Sequence, residues 1–230
     1  MPNWCNNIVT IEGEEAEIDR LVEFMKSEHG EFDFNKLVPY PGEFRSADEI
    51  HNEIRKLTWR RPKGRPLSDE EEHKLQELQK AAPEKDGFNS GGYEWRYENW
   101  GTKWPARVTQ VDRAFPHKVE YTFDTAWSPP EPVILELAIK FPDVNITLDY
   151  AECGMECCGI KEYRSAADID DDELDWIAEE ILGATESGEE YDGEEFKKAK
   201  EEARRKVREY PDMYRLVRNM SGDYHGSRGG

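Results

Sequence analysis

Apolar and polar positions alternate at the start of the chain, and Ile8-Val9-Thr10-Ile11, β-branched and closed by Gly13, predicts a strand over Trp4 to Glu12. Ile18, Leu21, Val22 and Met25 then recur at helical spacing and place a helix between Glu14 and Glu28. Phe32-Asp33-Phe34-Asn35 is short and alternating, and a turn bracketed by Pro39 and Pro41 follows it. Two more strands are expected at Arg107 to Asp112 and Lys118 to Thr125, joined at Phe115-Pro116-His117. Trp127-Ser128-Pro129-Pro130 opens a helix, because proline is tolerated in a first turn. Ile134, Leu137, Ala138 and Phe141 give that helix an apolar face. Val144, Ile146, Leu148 and Tyr150 alternate with polar residues and end the series with a strand.

Residues 46–95 interrupt this series and read as an insertion. Helices are expected at Ala47 to Leu57 and at Leu67 to Ala81, where Ser68 and Glu71 form a capping-box pattern. Between them lies the basic segment Trp59-Arg60-Arg61-Pro62-Lys63-Gly64-Arg65, and Asn89-Ser90-Gly91-Gly92 reads as a loop. With the insertion set aside the order is β-α-β-β-α-β. That order predicts an α+β ferredoxin-like fold, an antiparallel four-stranded sheet with two helices on one face.

The domain is expected to span residues 1–165, followed by an acidic helical extension over 166–220 and a flexible tail over 221–230. In the extension, Leu174, Ile177, Ala178 and Ile181 mark a helix from about Asp171 to Leu182. Phe196, Ala199, Ala203, Val207 and Tyr210 mark a second from about Gly193 to Tyr210. Asp192 and Glu195 suit its N-terminal end, and Arg204, Arg205, Lys206 and Arg208 its C-terminal end.

Charge changes the picture more than composition does. The formal charge is -20, and 14 acidic residues with no basic one lie between Asp168 and Glu195. Such a balance opposes non-specific nucleic-acid binding, which depends on Lys and Arg releasing counterions, and opposes docking on anionic membranes. It suits solubility, a basic protein partner, or mimicry of a polyanion. No run of 18 apolar residues occurs, and Met1-Pro2-Asn3-Trp4 does not read as a signal peptide. Cys5, Cys153, Cys157 and Cys158 are too few and too clustered for a secreted disulfide framework, so a reducing cytoplasm is expected.

Four segments occur in order: Pro2-Asn3-Trp4-Cys5-Asn6-Asn7, Phe32-Asp33-Phe34-Asn35-Lys36-Leu37-Val38-Pro39, Asn99-Trp100-Gly101-Thr102-Lys103-Trp104 and Thr125-Ala126-Trp127-Ser128-Pro129-Pro130. Together they resemble the YubB-like proteins of bacterial plasmids and phages, which carry a ferredoxin-like domain. The resemblance covers residues 1–165 and implies a mobile-element origin and the same fold. It implies no mechanism, and it does not extend to the acidic extension or to Cys157-Cys158.

The candidate chemistry is that of binding. Trp4, Trp95, Trp100, Trp104 and Trp127, with Asn99, Thr102 and Lys103, suit either an aromatic-walled pocket for a nucleotide or signalling molecule, or loops stapled to a sheet. Tyr121 and Phe123 alternate as base-stacking residues do on a sheet face, but no aromatic- and glycine-rich run accompanies them. Cys153, Cys157 and Cys158 lack paired zinc-ligand spacing, and buried free thiols are the expectation. Asp168-Ile169-Asp170-Asp171-Asp172 begins like a calcium loop, but Glu173 stands where glycine is needed. Phosphate loops, nucleophile elbows and metalloprotease motifs are absent from the sequence, so no catalytic residue, cofactor or metal is assigned. The remaining expectation is an acidic face made by Asp168, Asp170, Asp171, Asp172, Glu173, Asp175, Glu179, Glu180, Glu189 and Glu190. That face is expected to dock on a basic host or defence protein and inhibit it, with neither nucleic acid nor membrane bound directly.

Overall fold

The computed structural model describes residues 3–59, 66–154, 157–183 and 193–223. Strand β1 (Trp4–Glu12) leads into helix α1 (Glu15–Met25). Helices α2 (Gly42–Thr58), α3 (Asp69–Ala81) and α4 (Gly92–Trp100) follow. The hairpin β2 (Arg107–Phe115) and β3 (Lys118–Ala126), helix α5 (Glu131–Lys140) and strand β4 (Asn145–Glu152) complete the ferredoxin-like order. The chain then adds β5 (Cys157–Tyr163), α6 (Asp171–Leu182), α7 (Gly193–Glu209), the short α8 (Pro211–Tyr214) and β6 (Leu216–Asp223).

All strands pair antiparallel in the order β2-β3-β1-β4-β5-β6. The first four reproduce the ferredoxin-like sheet, and the fold class is as the sequence predicts. Two strands were not expected. The extension does not end in a free tail at 221, because residues 221–223 continue β6 alongside β5. Residues 224–230 lie outside the described residues. At Gly159 of β5 an added Cβ would lie 2.3 Å from the Tyr150 hydroxyl and 2.6 Å from the Met220 carbonyl, so glycine lets Tyr150 cross the strand.

Helices α1 and α5 cover one face of the sheet. Val9, Ile11, Tyr121, Phe123, Ile146 and Leu148 point into it and pack on Ile18, Leu21, Ile134 and Leu137. Tyr121 and Phe123 therefore sit on the covered face, buried, and are not placed to stack bases. By alternation the open face carries Asn6, Thr10, Glu120, Thr122, Asp124 and Asp149. The insertion is tied to this core by aromatic packing: Tyr40, Trp95 and Trp100 meet with ring centroids 5.6–5.8 Å apart. α3 begins with the capping box of Ser68 and Glu71 that the sequence predicts.

The extension has a second, smaller core. Leu174, Ile177 and Ala178 of α6 pack against Ala199, Ala203 and Val207 of α7. Small residues on α7 allow close approach of the two helices. One buried cation fastens this layer to the domain. Arg215, 1% exposed, donates from Nη1 to the Pro142 carbonyl at 2.6 Å and from Nη2 to the Ala138 carbonyl, capping the C-terminal end of α5. Burial pulls its pKa down to about 10, so it remains charged at neutral pH. Arg208 adds an ion pair to Asp143 at 3.0 Å.

Candidate functional site

The acidic residues of the extension divide by what they touch. Asp170 accepts from the Glu173 amide at 2.9 Å, and the Glu173 carboxylate returns to the Asp170 amide at 3.1 Å, closing a capping box at the start of α6. This is why Asp168–Asp172 starts a helix and not a calcium loop. Glu173 also pairs with Arg164 at 2.6 Å. Asp171 lies 3.4 Å from Lys200 and 3.5 Å from Arg204 of α7, and Asp175 also pairs with Lys200. Asp168 accepts from Asn145 at 3.1 Å. Glu189 and Glu190 lie outside the described residues.

Asp172, Glu179 and Glu180 are left exposed and, among the described residues, without an ion-pair partner. They share a face of α6 with Trp176, since positions 172, 176, 179 and 180 follow the i, i+4, i+7, i+8 rhythm. Trp176 is 63% exposed at the middle of this stripe. The sequence reading did not single it out. The signal was present, because Trp176 falls out of phase with the buried positions 174, 177 and 178. Beside it, Ile169, Ile177 and Tyr214 line a groove of about 370 Å³ together with Met213 of α8, which is 69% exposed.

The tryptophan motifs serve mostly as staples. Trp100 is 1% exposed, and its indole N–H donates to the Val38 carbonyl at 2.9 Å. Asn99 donates to the Trp95 carbonyl at 2.8 Å. The buried Thr102 hydroxyl donates to the Ala126 carbonyl at 2.9 Å and accepts from the Ala126 amide at 3.1 Å, like one more strand residue beside β3. Asn7 donates to the Cys5 carbonyl and to the Thr125 hydroxyl, both at 2.9 Å, and Thr125 donates to the Ser128 carbonyl at 2.7 Å. Gly101, at φ +73°, ends α4 where a side chain would strike Pro132. Residues far apart in sequence are thus joined by buried hydrogen bonds at one corner of the sheet.

Trp4 and Trp127 are exposed, and Lys103 and Trp104 are half-buried. The Trp4 and Trp104 rings are 5.8 Å apart, Lys103 lies 5.0 Å over Trp104, and Arg107 lies 5.7 Å over Trp4. Trp127 holds φ +76°, unusual for a bulky residue, where its amide donates to the Asn3 carbonyl at 3.0 Å.

A neighbouring cleft of about 490 Å³, lined by Tyr40, Arg45, Asp48, Arg55, Asp86 and Arg96, is already internally matched. Tyr40 donates to Asp48 at 3.1 Å, Arg96 spans Asp48 at 3.4 Å and the Tyr40 ring at 4.1 Å, and Arg55 pairs with Asp86. Burial pushes the Tyr40 hydroxyl up to about 12 against the pull of Arg96, so it acts as a donor at neutral pH. These contacts hold the insertion on the domain.

The cysteines correct the expectation of buried thiols: Cys153 and Cys157 are exposed and Cys158 half-buried, because they lie at the β4–β5 hairpin end. Cys5 is the buried one, and burial pushes its thiol up to about 12. No group of three metal-ligating side chains occurs among the described residues. Among the same residues no helix is long and apolar enough to cross a membrane.

No curated protein matches the chain. The solved structure of the protein Api92 from Yersinia pseudotuberculosis aligns with a TM-score of 0.41 at 11% identity, covering 72% of this chain and 95% of that one. Residues 100–203, a little under half of the chain, match the family model described as the ferredoxin-like domain in Api92-like protein. The matched region includes β2, β3, α5, β4, β5, α6 and the first part of α7.

Proposed function

We propose that the chain is an accessory protein of a phage or plasmid that binds a host or defence protein through the acidic face of α6 and inhibits it without catalysis. The observation that carries this reading is the exposed stripe of Asp172, Glu179 and Glu180. Their neighbours Asp171, Glu173 and Asp175 are neutralised by Arg164, Lys200 and Arg204, whereas these three keep their charge available to a partner. Exposed carboxylates of one sign attract a basic surface over a Debye length of about 8 Å at physiological salt, which favours fast, salt-sensitive association. The four sequence motifs supply the phage or plasmid attribution by resemblance.

The test is capture from bacterial lysate by the full-length protein and by an Asp172→Lys/Glu179→Lys/Glu180→Lys variant. These positions are chosen because reversing Asp170 or Glu173 would also break the α6 cap. The expected result is a protein partner held by the wild-type chain at low salt, shed at high salt, and missed by the variant. A partner held equally by both would count against the acidic face.

A second reading, a small-ligand site at the tryptophan corner, is favoured by the exposed Trp4 against the half-buried Trp104, with Lys103 beside it. Trp100, Asn99 and Thr102 are committed to internal bonds, so Trp104→Ala is the variant that would abolish ligand binding while the α6 reversal would not.

A further inference from the structure

The acidic face has an apolar centre, and a purely electrostatic surface has no use for one. Trp176 and Met213, both largely exposed, line a groove together with the buried Ile169 and Ile177 and the half-buried Tyr214. Asp170 and Asp172 stand at its rim. Exposed apolar surface rimmed by charge marks interaction sites, tryptophan is enriched among the residues that dominate binding energy, and methionine adapts to varied apolar partners. The complement of such a site is a bulky aliphatic or aromatic side chain flanked by lysines or arginines.

We infer that the groove between α6 and α8 seats an apolar anchor from a basic segment of another protein, the anchor lying between Trp176 and Met213 and its flanking cations meeting Asp170, Asp172 and Glu179. This rests on the acidic-face reading above and names the chemistry of its partner. Two roles then separate. The carboxylates speed encounter and set the salt dependence, whereas the desolvated groove sets how long the complex lasts. A groove of about 370 Å³ is at the small end of pockets that enclose a ligand, and it suits side chains from a segment laid across it. Polyanion mimicry requires only the rim, so the apolar lining distinguishes this proposal from imitation of nucleic acid.

The test uses the full-length protein and two labelled probes followed by fluorescence anisotropy: an amphipathic Leu/Lys peptide and an oligolysine of equal charge. The Leu/Lys peptide is expected to bind about tenfold more tightly than oligolysine. Trp176→Ala and Met213→Ala are each expected to remove about tenfold from the Leu/Lys affinity and to leave oligolysine binding unchanged. Both side chains are exposed, so thermal melting of these variants should match the wild type and confirm that folding is intact. Equal affinity for the two probes, or no effect of Trp176→Ala, overturns the groove. If charge reversal at Asp172, Glu179 and Glu180 still removes binding in that case, the acidic face survives without the groove. If it does not, both fall.

Discussion

Arg215 is the residue on which the placement of the acidic face depends, and its replacement yields a quantitative expectation. The guanidinium is buried beneath the extension and donates to two carbonyls at the end of α5, from Nη1 to Pro142 at 2.6 Å and from Nη2 to Ala138. Hydrogen bonds from a charged donor contribute about 1.5–3 kcal/mol each, so two amount to about 3–6 kcal/mol. Removing the cation also removes its desolvation cost, and water entering the vacated space re-solvates the carbonyls in part. The net loss for Arg215→Ala is therefore expected at about 2–4 kcal/mol. With a urea slope of about 2 kcal/mol/M, the midpoint should fall by about 1–2 M. Arg215→Lys can satisfy one carbonyl at a time and should fall between. The assay is urea unfolding followed by tryptophan fluorescence, paired with hydrogen exchange. Exchange should rise first in α8, β6 and α6, before β1 and β3, because the lost side-chain bonds join the α8–β6 junction to α5 and leave the β1–β3 pairing untouched. A midpoint within about 0.2 M of wild type, or uniform loss of protection across the sheet, would refute the idea that this cation fastens the extension.

Trp100→Ala should cost about 3–5 kcal/mol by opening a cavity among Phe34, Tyr40 and Trp95 and leaving the Val38 carbonyl unpaired, measured as a loss of melting temperature far larger than for Trp104→Ala. In native alkylation, Cys153 and Cys157 should label first and Cys158 more slowly; Cys5 should label only after denaturation, which peptide mass mapping reads directly. Asp33 is held below the usual carboxylate range: burial raises it, but hydrogen bonds from Ser27 and Asn35 outweigh burial. Its contribution is therefore complete above the unfolded pKa of about 3.9 and is lost as pH falls through the lower folded value. Asp33→Asn should flatten the stability profile below about pH 4, and acid titration of both forms by circular dichroism checks this.

What the sequence made legible followed from strong local signals. The β-branched run at Ile8 to Ile11, the alternation from Val144 to Tyr150 and the apolar spacing in α6 each placed an element within a residue or two of its position. The Ser68–Glu71 cap was equally direct, because a capping box is a contact between residues three apart. β5 and β6 were not legible. Cys157-Cys158-Gly159 breaks the alternation, and β6 is an edge strand with a polar sequence, so its pairing with β5 is decided by tertiary contact through Leu216 and Arg215. α4 was hidden for a related reason: Tyr93, Trp95, Tyr97 and Trp100 surround it with aromatics and leave no single apolar stripe. At the candidate site, composition located the acidic helix. It could not tell Asp172 from Asp171, because the difference is whether Lys200 and Arg204 of α7 reach across.

The extension also determines how the acidic face must be tested. Deleting residues beyond 165 would strip β6 from the sheet and remove Arg215 together with α6, so loss of binding in such a truncation would report damage to the domain as readily as loss of the site. Carboxyl footprinting of the intact chain, free and in complex with a captured partner, avoids this. The account predicts that Asp172, Glu179 and Glu180 become protected while Glu120 and Asp124 on the open sheet face label as before. Unchanged labelling of the α6 stripe, with protection elsewhere on the surface, would contradict it.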